Sequence, residues 1–141
     1  MTAVIVDTGP LLAFFDRAER HHRWAAEQFR KADLPLLPCE PVLAEAMYLL
    51  ARFPGANERL LPFVEAGILV IGLYIADNAA ELRRLVSKCA DTPMALAEAC
   101  IVRMAEIHQK HAVMTLDSDF FVYRKNGREP LRLHHPTRED E

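Results

Sequence analysis

The fold is decided near the start of the chain, where residues 3 to 15 read AVIVDTGPLLAFF. Residues 3 to 6 are a short, largely β-branched run, which predicts a strand. The tetrapeptide DTGP at 7 to 10 predicts a tight turn, and Pro10 suits the first turn of a helix because its missing N–H would be unpaired there in any case. The stretch therefore predicts a strand that turns directly into a helix, with Asp7 at the carboxyl end of the strand.

The same alternation of strand and helix continues along the chain. Further strands are predicted at 34 to 38, 68 to 71 and 112 to 116, with an edge strand at 131 to 133. Helices are predicted at 21 to 32, 41 to 53, 57 to 66, 76 to 88 and 93 to 108. Strands that alternate with helices form a parallel sheet covered on both faces. The expected fold is therefore α/β, a three-layer α/β/α sandwich with a central, mostly parallel sheet of four to five strands.

The composition indicates one soluble domain with a substantial core. The chain has 141 residues, of which 51% are hydrophobic and 26% charged, as in an ordinary globular protein. We expect a single domain over residues 1 to 133 and a frayed tail over 134 to 141, where polar residues have little to bury.

The cysteines and the absence of a leader pattern indicate a cytoplasmic protein. Cys39, Cys89 and Cys100 are odd in number and form no C-x-x-C pair, so we interpret them as reduced core residues. No basic leader with an apolar core precedes the first strand.

The formal net charge of −3 disfavours long-range attraction to nucleic acid, which depends on Lys and Arg. Three local basic groups remain candidates for binding phosphates or as ordinary solvated faces: Arg17, Arg20 and Arg23; Arg83, Arg84 and Lys88; and Arg124, Lys125 and Arg128.

Four acidic residues lie where a globular domain least accommodates them. Asp7 and Asp117 each follow an apolar strand-like run, whereas Glu45 and Glu98 interrupt apolar helical stripes. Two carboxylates about 4 Å apart repel by roughly 4 kcal/mol at an effective dielectric near 20. Either the four residues are separate and individually paired with Arg or Lys, or they converge on a divalent cation.

Each acid on its own has an ordinary explanation. Asp7 fits a turn, Glu45 and Glu98 could pair with a nearby arginine, and Asp91 fits the cap of a helix that begins at Pro93. The combination is more informative than its parts.

With their neighbours, the four acids resemble the pattern of the PIN-domain ribonucleases, specifically the compact VapC-like toxins of prokaryotic toxin–antitoxin pairs. The resemblance rests on VIVDTGPLLA at 4 to 13, LAEA at 43 to 46, DTPMALAEA at 91 to 99 and TLDSDF at 115 to 120. It spans residues 2 to about 133. It implies a PIN-like fold and hydrolysis of RNA phosphodiester bonds.

The resemblance also implies the residues of the site. The catalytic and metal-binding acids would be Asp7, Glu45, Glu98 and Asp117, with support from Thr8, Asp91, Thr115 and Asp119. An all-oxygen ligand set selects one or two Mg²⁺ or Mn²⁺ ions rather than Zn²⁺. One residue departs from the family, because most relatives carry Asp at the position of Glu98, and the extra methylene moves the carboxylate outward by about 1 Å.

Among the basic groups, Arg124, Lys125 and Arg128 are the preferred RNA contact because they closely follow the fourth predicted strand. The resemblance implies two further partners: a cognate antitoxin would insert a segment into the acidic groove, and two copies of the chain would pair through helices near Glu45 and residues 57 to 66. The alternative is a catalytically weak or inactive PIN-like module that binds RNA or protein. Loss of RNA cleavage on Asp7→Asn would distinguish the enzyme from the module.

Overall fold

A computed structural model describes residues 3–88 and 94–136. Its strands are β1 (Ala3–Val6), β2 (Asp33–Leu37), β3 (Ala112–Met114), β4 (Arg124–Lys125), β5 (Glu129–Pro130) and β6 (Leu133–His134). Its α-helices are α1 (Thr8–Phe15), α2 (His22–Lys31), α3 (Glu40–Leu50), α4 (Leu61–Glu65), α5 (Ala79–Lys88) and α6 (Leu96–Ile107). Short 3₁₀ helices span Asn57–Arg59, Ile75–Asn78 and Ser118–Phe121.

The central sheet has four strands in the order β2-β1-β3-β6, and each neighbouring pair is parallel. The predicted α/β fold on a parallel sheet is therefore confirmed. The central strand β1 is apolar along its whole length because a parallel strand is covered on both faces. Ile5 and Val6 are fully buried.

The register of the two inner strands positions the start of the site. Val6 of β1 lies opposite Met114 of β3, so the residues that follow each strand emerge side by side at the carboxyl edge of the sheet. The Asp7 amide donates to the Met114 carbonyl at 3.0 Å, which extends the ladder by one bond. Side chains beyond the carboxyl ends of parallel strands are where such folds bind ligands.

The strand predicted at 68 to 71 is wrong in extent. Only an isolated bridge between Leu36 and Leu69 forms there, parallel to β2. The Leu36 amide donates to the Ile68 carbonyl, and the Leu36 carbonyl accepts from the Val70 amide. To continue a parallel ladder, the amide of residue 38 would have to donate next. Because that residue is Pro38, it has no N–H, and the ladder stops after one bridge.

Most other predicted elements differ from the observed ones by a few residues at their ends, and two differ more. The helix predicted at 57 to 66 is divided into a 3₁₀ turn and the short α4, because Pro62 cannot donate to the preceding turn and begins a new helix instead. The predicted edge strand at 131 to 133 overlaps β6 only at Leu133, because β6 spans Leu133–His134. The remainder of the predicted tail, from residue 137 onward, lies outside the described residues.

A small antiparallel pair, β4 and β5, was not predicted. Three residues, 126 to 128, connect the two strands. Asn126 and Gly127 have φ of 53° and 79°, the left-handed conformations of a type I′ turn, and the Arg128 amide donates to the Lys125 carbonyl at 3.3 Å. Glu106 of α6 fixes this turn, since its Oε2 accepts from the Asn126 amide at 2.7 Å. Its Oε1 lies 3.3 Å from Arg103 and 3.7 Å from Arg84, and the Glu106 side chain is only 1% exposed.

The core contains two of the three cysteines. Cys39 and Cys100 are buried and form no disulfide, as the sequence predicted, and Cys89 lies outside the described residues. Within the described ranges, no helix is both long and apolar enough to cross a membrane.

Candidate active site

Four carboxylates from four different elements line one cavity of about 300 Å³. They are Asp7 after β1, Glu45 of α3, Glu98 of α6 and Asp117 after β3. The sequence predicted this set of residues, and the fold brings all four to the same cavity. Gly9 and Thr8 also line it, at the start of α1.

Asp7 lies deepest in this pocket and is held there from the neighbouring strand. Its residue is 9% exposed, and it occupies the position before α1 without making a helix-capping hydrogen bond. Its Oδ2 instead accepts from the Thr115 hydroxyl at 2.8 Å. The Asp7 carboxylate is therefore held by the neighbouring strand and does not cap α1.

The pocket perturbs the ionisation of this residue. Burial raises the pKa of Asp7 from 3.8 to about 6, and the charges of Asp117 and Glu45 act in the same direction. The Thr8 amide and the Thr115 hydroxyl partly oppose this rise. A carboxyl group with a raised pKa beside two further acids is typical of functional sites. A bound cation would offset the repulsion among these carboxylates.

Thr115 connects the two strand-end acids. Its hydroxyl donates to Asp7 and accepts from the Asp117 amide at 2.9 Å, so one fully buried side chain fixes the position of both. Asp117 then accepts from the Asp119 amide through Oδ1 at 2.9 Å, which begins the 3₁₀ helix Ser118–Phe121. Only Oδ1 of Asp117 is used in this bond.

Glu98 is half-buried in the first turn of α6 and is held by two donors. Its Oε2 accepts from the Tyr123 hydroxyl at 2.8 Å and from the Ala95 amide at 3.4 Å. Tyr123 is buried, and no spacing or motif in the sequence had indicated it. Burial, followed by the hydrogen bond to Glu98, raises the pKa of the Tyr123 phenol, which therefore remains a hydrogen-bond donor.

Glu45 is the most exposed of the four acids. Val42 and Ala46 on the same face of α3 are fully buried, so Glu45 lies at the edge of the apolar stripe rather than within it. Its charge still contributes to the raised pKa of Asp7.

The predicted supporting residues divide into three cases. Thr8 and Thr115 are buried at the pocket, and the Thr8 hydroxyl has no hydrogen-bond partner among the described residues. Asp119 is exposed and does not line the cavity, but its amide orients Asp117. Asp91 lies outside the described residues.

The predicted RNA-binding group is not a uniform set of free cations. Lys125 is buried, and its ammonium donates to the Gln109 carbonyl at 3.1 Å, so it is directed away from a solvent-borne phosphate. Arg124 donates through Nη1 to the carbonyls of Phe121, Val122 and Tyr123 at 2.8, 3.2 and 3.1 Å, and thus stabilises the end of a 3₁₀ turn. Arg128 is exposed.

The donors of the pocket fit a hard divalent cation in chemistry. All are oxygens, and the partnerless Thr8 hydroxyl lies among them. Across residues 3–88 and 94–136, however, no three His, Cys, Asp or Glu side chains lie close enough together to form a preformed metal site. The carboxylates share a cavity but do not share a common centre, an arrangement that their mutual repulsion favours.

Comparison with known proteins gives a consistent result. The family model described as "PIN domain" matches residues 4–126. The chain is 32% identical over 123 residues to Ribonuclease VapC26 of Mycobacterium tuberculosis, covering 84% of this chain and 89% of that protein. A crystal structure of M. tuberculosis VapC20, described as a Sarcin-Ricin loop cleaving toxin, is similar in fold, with a TM-score of 0.75 at 16% identity over 91% of this chain and 100% of that one.

The family match covers the strand-end acids and both glutamates, and the overall fold is similar to that of the VapC20 structure. The chain therefore belongs to the PIN-domain family and is VapC-like within it.

Proposed function

We propose that this protein is a Mg²⁺- or Mn²⁺-dependent endoribonuclease, the toxin of a prokaryotic type II toxin–antitoxin pair. The observation that carries the proposal is the convergence of Asp7, Glu45, Glu98 and Asp117 on one cavity. Family membership and the similarity to a VapC ribonuclease support the choice of RNA as substrate.

The four carboxylates would hold one or two cations. The Thr8 hydroxyl would supply a further oxygen, and the Asp119 amide would keep the Asp117 carboxylate in position. When bound, the cation would lower the pKa of water and offset the negative charge on the phosphoryl oxygens. Asp7 would be ionised in that state because a positive charge counteracts the rise in its pKa caused by burial. Thr115 would keep the carboxylates of Asp7 and Asp117 at a fixed separation.

RNA requires cations on the protein surface, and two of the predicted basic groups meet near Glu106, in the last turn of α6. A Cβ on Gly127 would lie 2.9 Å from the Lys88 ammonium, so the β4–β5 turn lies against the end of α5. Arg84 reaches the same region through Glu106, which also binds the turn. We define Arg84, Lys88 and Arg128 as the basic surface and propose it, in place of Lys125 and Arg124, as the principal phosphate contact.

The proposed partners follow from the same family. The acidic pocket suits an arginine from a cognate antitoxin, because it offers several carboxylates to a guanidinium. The exposed Tyr48 of α3 and Leu61 of α4 support pairing of two copies through these helices, with 79% and 47% of their surface accessible. We place the protein in the cytoplasm, where RNA and an antitoxin would be available.

The direct test is cleavage of labelled RNA with Mg²⁺ or Mn²⁺. We expect cleavage by the unsubstituted chain, loss with EDTA and loss with Asp7→Asn, whereas Asp77→Asn, at an exposed acid of a 3₁₀ helix, should remain active. A folded parent protein that cleaves no RNA with either metal would refute the enzyme and favour the binding module.

The basic surface has its own test. Arg128→Ala should weaken RNA binding and reduce the salt dependence of binding by roughly one phosphate contact. Arg52→Ala is the matched control, because Arg52 is exposed but lies over the Phe53 ring, 4.9 Å from its centroid. Equal salt dependence in both variants would rule out Arg128 as a phosphate contact.

A further inference from the structure

The Tyr123–Glu98 hydrogen bond is the least expected contact of the pocket. Tyr123 is 5% exposed, and its hydroxyl donates to Glu98 Oε2 at 2.8 Å. The only other hydrogen bond to this carboxylate in the described part of the chain is from the Ala95 amide, also to Oε2. Both donors therefore act on the same oxygen, and Oε1 remains available to a ligand in the cavity.

The Tyr123 side chain is itself held in place. Its ring packs edge-on against Phe120, with centroids 5.3 Å apart and an interplanar angle of 89°, and Phe120 is 1% exposed. Its amide donates to the Asp119 carbonyl at 3.2 Å, and its carbonyl accepts from Arg124. A rigid donor restricts its acceptor more effectively than a mobile one, so the Glu98 carboxylate is oriented by a fixed group.

The length of the glutamate makes this contact necessary and possible. Glu has one more methylene and one more rotatable bond than Asp, so an unrestrained Glu98 would sample several positions of its carboxylate. An Asp at residue 98 would withdraw the carboxylate by about 1 Å, beyond normal hydrogen-bond distance from the Tyr123 hydroxyl. The two residues therefore suit each other as a pair.

We propose that Tyr123 is a positioning residue that orients the Glu98 carboxylate for cation binding in the acidic pocket. It compensates for the longer side chain at residue 98, and its effect depends on that length. The inference rests on the proposed function for the presence of a cation, but it concerns metal binding rather than RNA cleavage.

The test is a double-substitution series read out by Mn²⁺ binding without RNA, for example by electron paramagnetic resonance of free Mn²⁺. We expect Tyr123→Phe to weaken Mn²⁺ binding roughly tenfold, as for other residues that orient a metal ligand. In a Glu98→Asp background, Tyr123→Phe should change binding by less than about twofold. Tyr74→Phe, at an exposed phenol, should leave binding unchanged.

The possible outcomes separate the two proposals. A similar loss in both backgrounds would mean that Tyr123 acts through packing, and no loss in the first background would mean that it does not orient Glu98; either result overturns the inference. Absence of Mn²⁺ binding by the parent protein would overturn it as well. Tyr123-dependent Mn²⁺ binding without RNA cleavage would instead refute the proposed function and leave the inference in place.

Discussion

Replacing the buried Asp7 by Asn should stabilise the metal-free protein at neutral pH. Asn has the same shape, and its carbonyl oxygen can still accept from the Thr115 hydroxyl, which lies 2.8 Å from Asp7 Oδ2. What the substitution removes is the cost of ionising a carboxyl group that is buried and, to a smaller extent, lies beside two other acids. The native pKa of Asp7 is about 6, against 3.8 for an ordinary Asp.

The size of the effect follows from that difference. A pKa higher by about 2.2 corresponds to about 3 kcal/mol at about 1.36 kcal/mol per pKa unit, an order-of-magnitude figure. Because the pKa is raised in the native state, ionisation favours unfolding: the cost is absent below about pH 4, grows between about pH 4 and 6, and is complete above that range. For a chain of this size the stabilisation of Asp7→Asn should raise the Tm by roughly 10 °C at pH 7.5.

The assay is thermal unfolding followed by circular dichroism, in EDTA, from pH 4 to 8. Asp77→Asn serves as the control, since Asp77 is exposed. Excess Mn²⁺ should stabilise the parent protein and reduce its disadvantage, by about 2.7 kcal/mol at 100 times the Kd. A Tm difference between Asp7→Asn and the parent that is the same at pH 4 and pH 7.5, or that favours the parent at pH 7.5 in EDTA, would refute the reasoning.

Three other substitutions test the supports of the site. Thr115→Val should lower the rate of RNA cleavage roughly tenfold or more, because it removes both hydrogen bonds that fix the strand-end acids, whereas Thr115→Ser should retain most of the activity. Equal rates for the Val and Ser variants would show that the hydroxyl does not support the site. Gly127→Ala and Gly67→Ala should both lower the free energy of unfolding in urea by about 1 kcal/mol, since both glycines have positive φ and the Lys88 amine that a Cβ on Gly127 would meet ends a flexible side chain that can move aside; no loss in either variant would contradict this cost. Glu106→Gln should cost roughly 1 to 3 kcal/mol in the same assay, because it removes a buried carboxylate that two arginines compensate, whereas Glu27→Gln, in an exposed pair, should have a much smaller effect. Similar losses at both glutamates would contradict the importance of burial.

The sequence predicted the parallel sheet and the four pocket acids because those features depend on local patterns. The β-branched run before Asp7 and the turn at Gly9 and Pro10 fix a strand and a helix without reference to distant residues. Glu45 and Glu98 were recognisable because a carboxylate within an apolar stripe is costly unless something compensates.

The features that the sequence did not indicate depend on tertiary contacts or on overlooked turn chemistry. The Asn126-Gly127 turn carries a recognisable hairpin signature, and Pro38 carries a signal against extending the sheet beyond one bridge. Tyr123 and Glu106 have no such signature, because one is defined only by its distance to Glu98 and the other by burial among residues far apart in sequence.

Helix α6 carries Glu98 in its first turn and Glu106 in its last, and it thereby connects the acidic pocket to the basic surface. Eight residues of α-helix span about 12 Å, a length that hydrogen bonds within the helix keep constant. For an RNA strand bound at both ends of α6, this constant length would fix the distance between the phosphate held at the basic surface and the acidic pocket. The scissile bond would then lie at a set number of nucleotides from that phosphate.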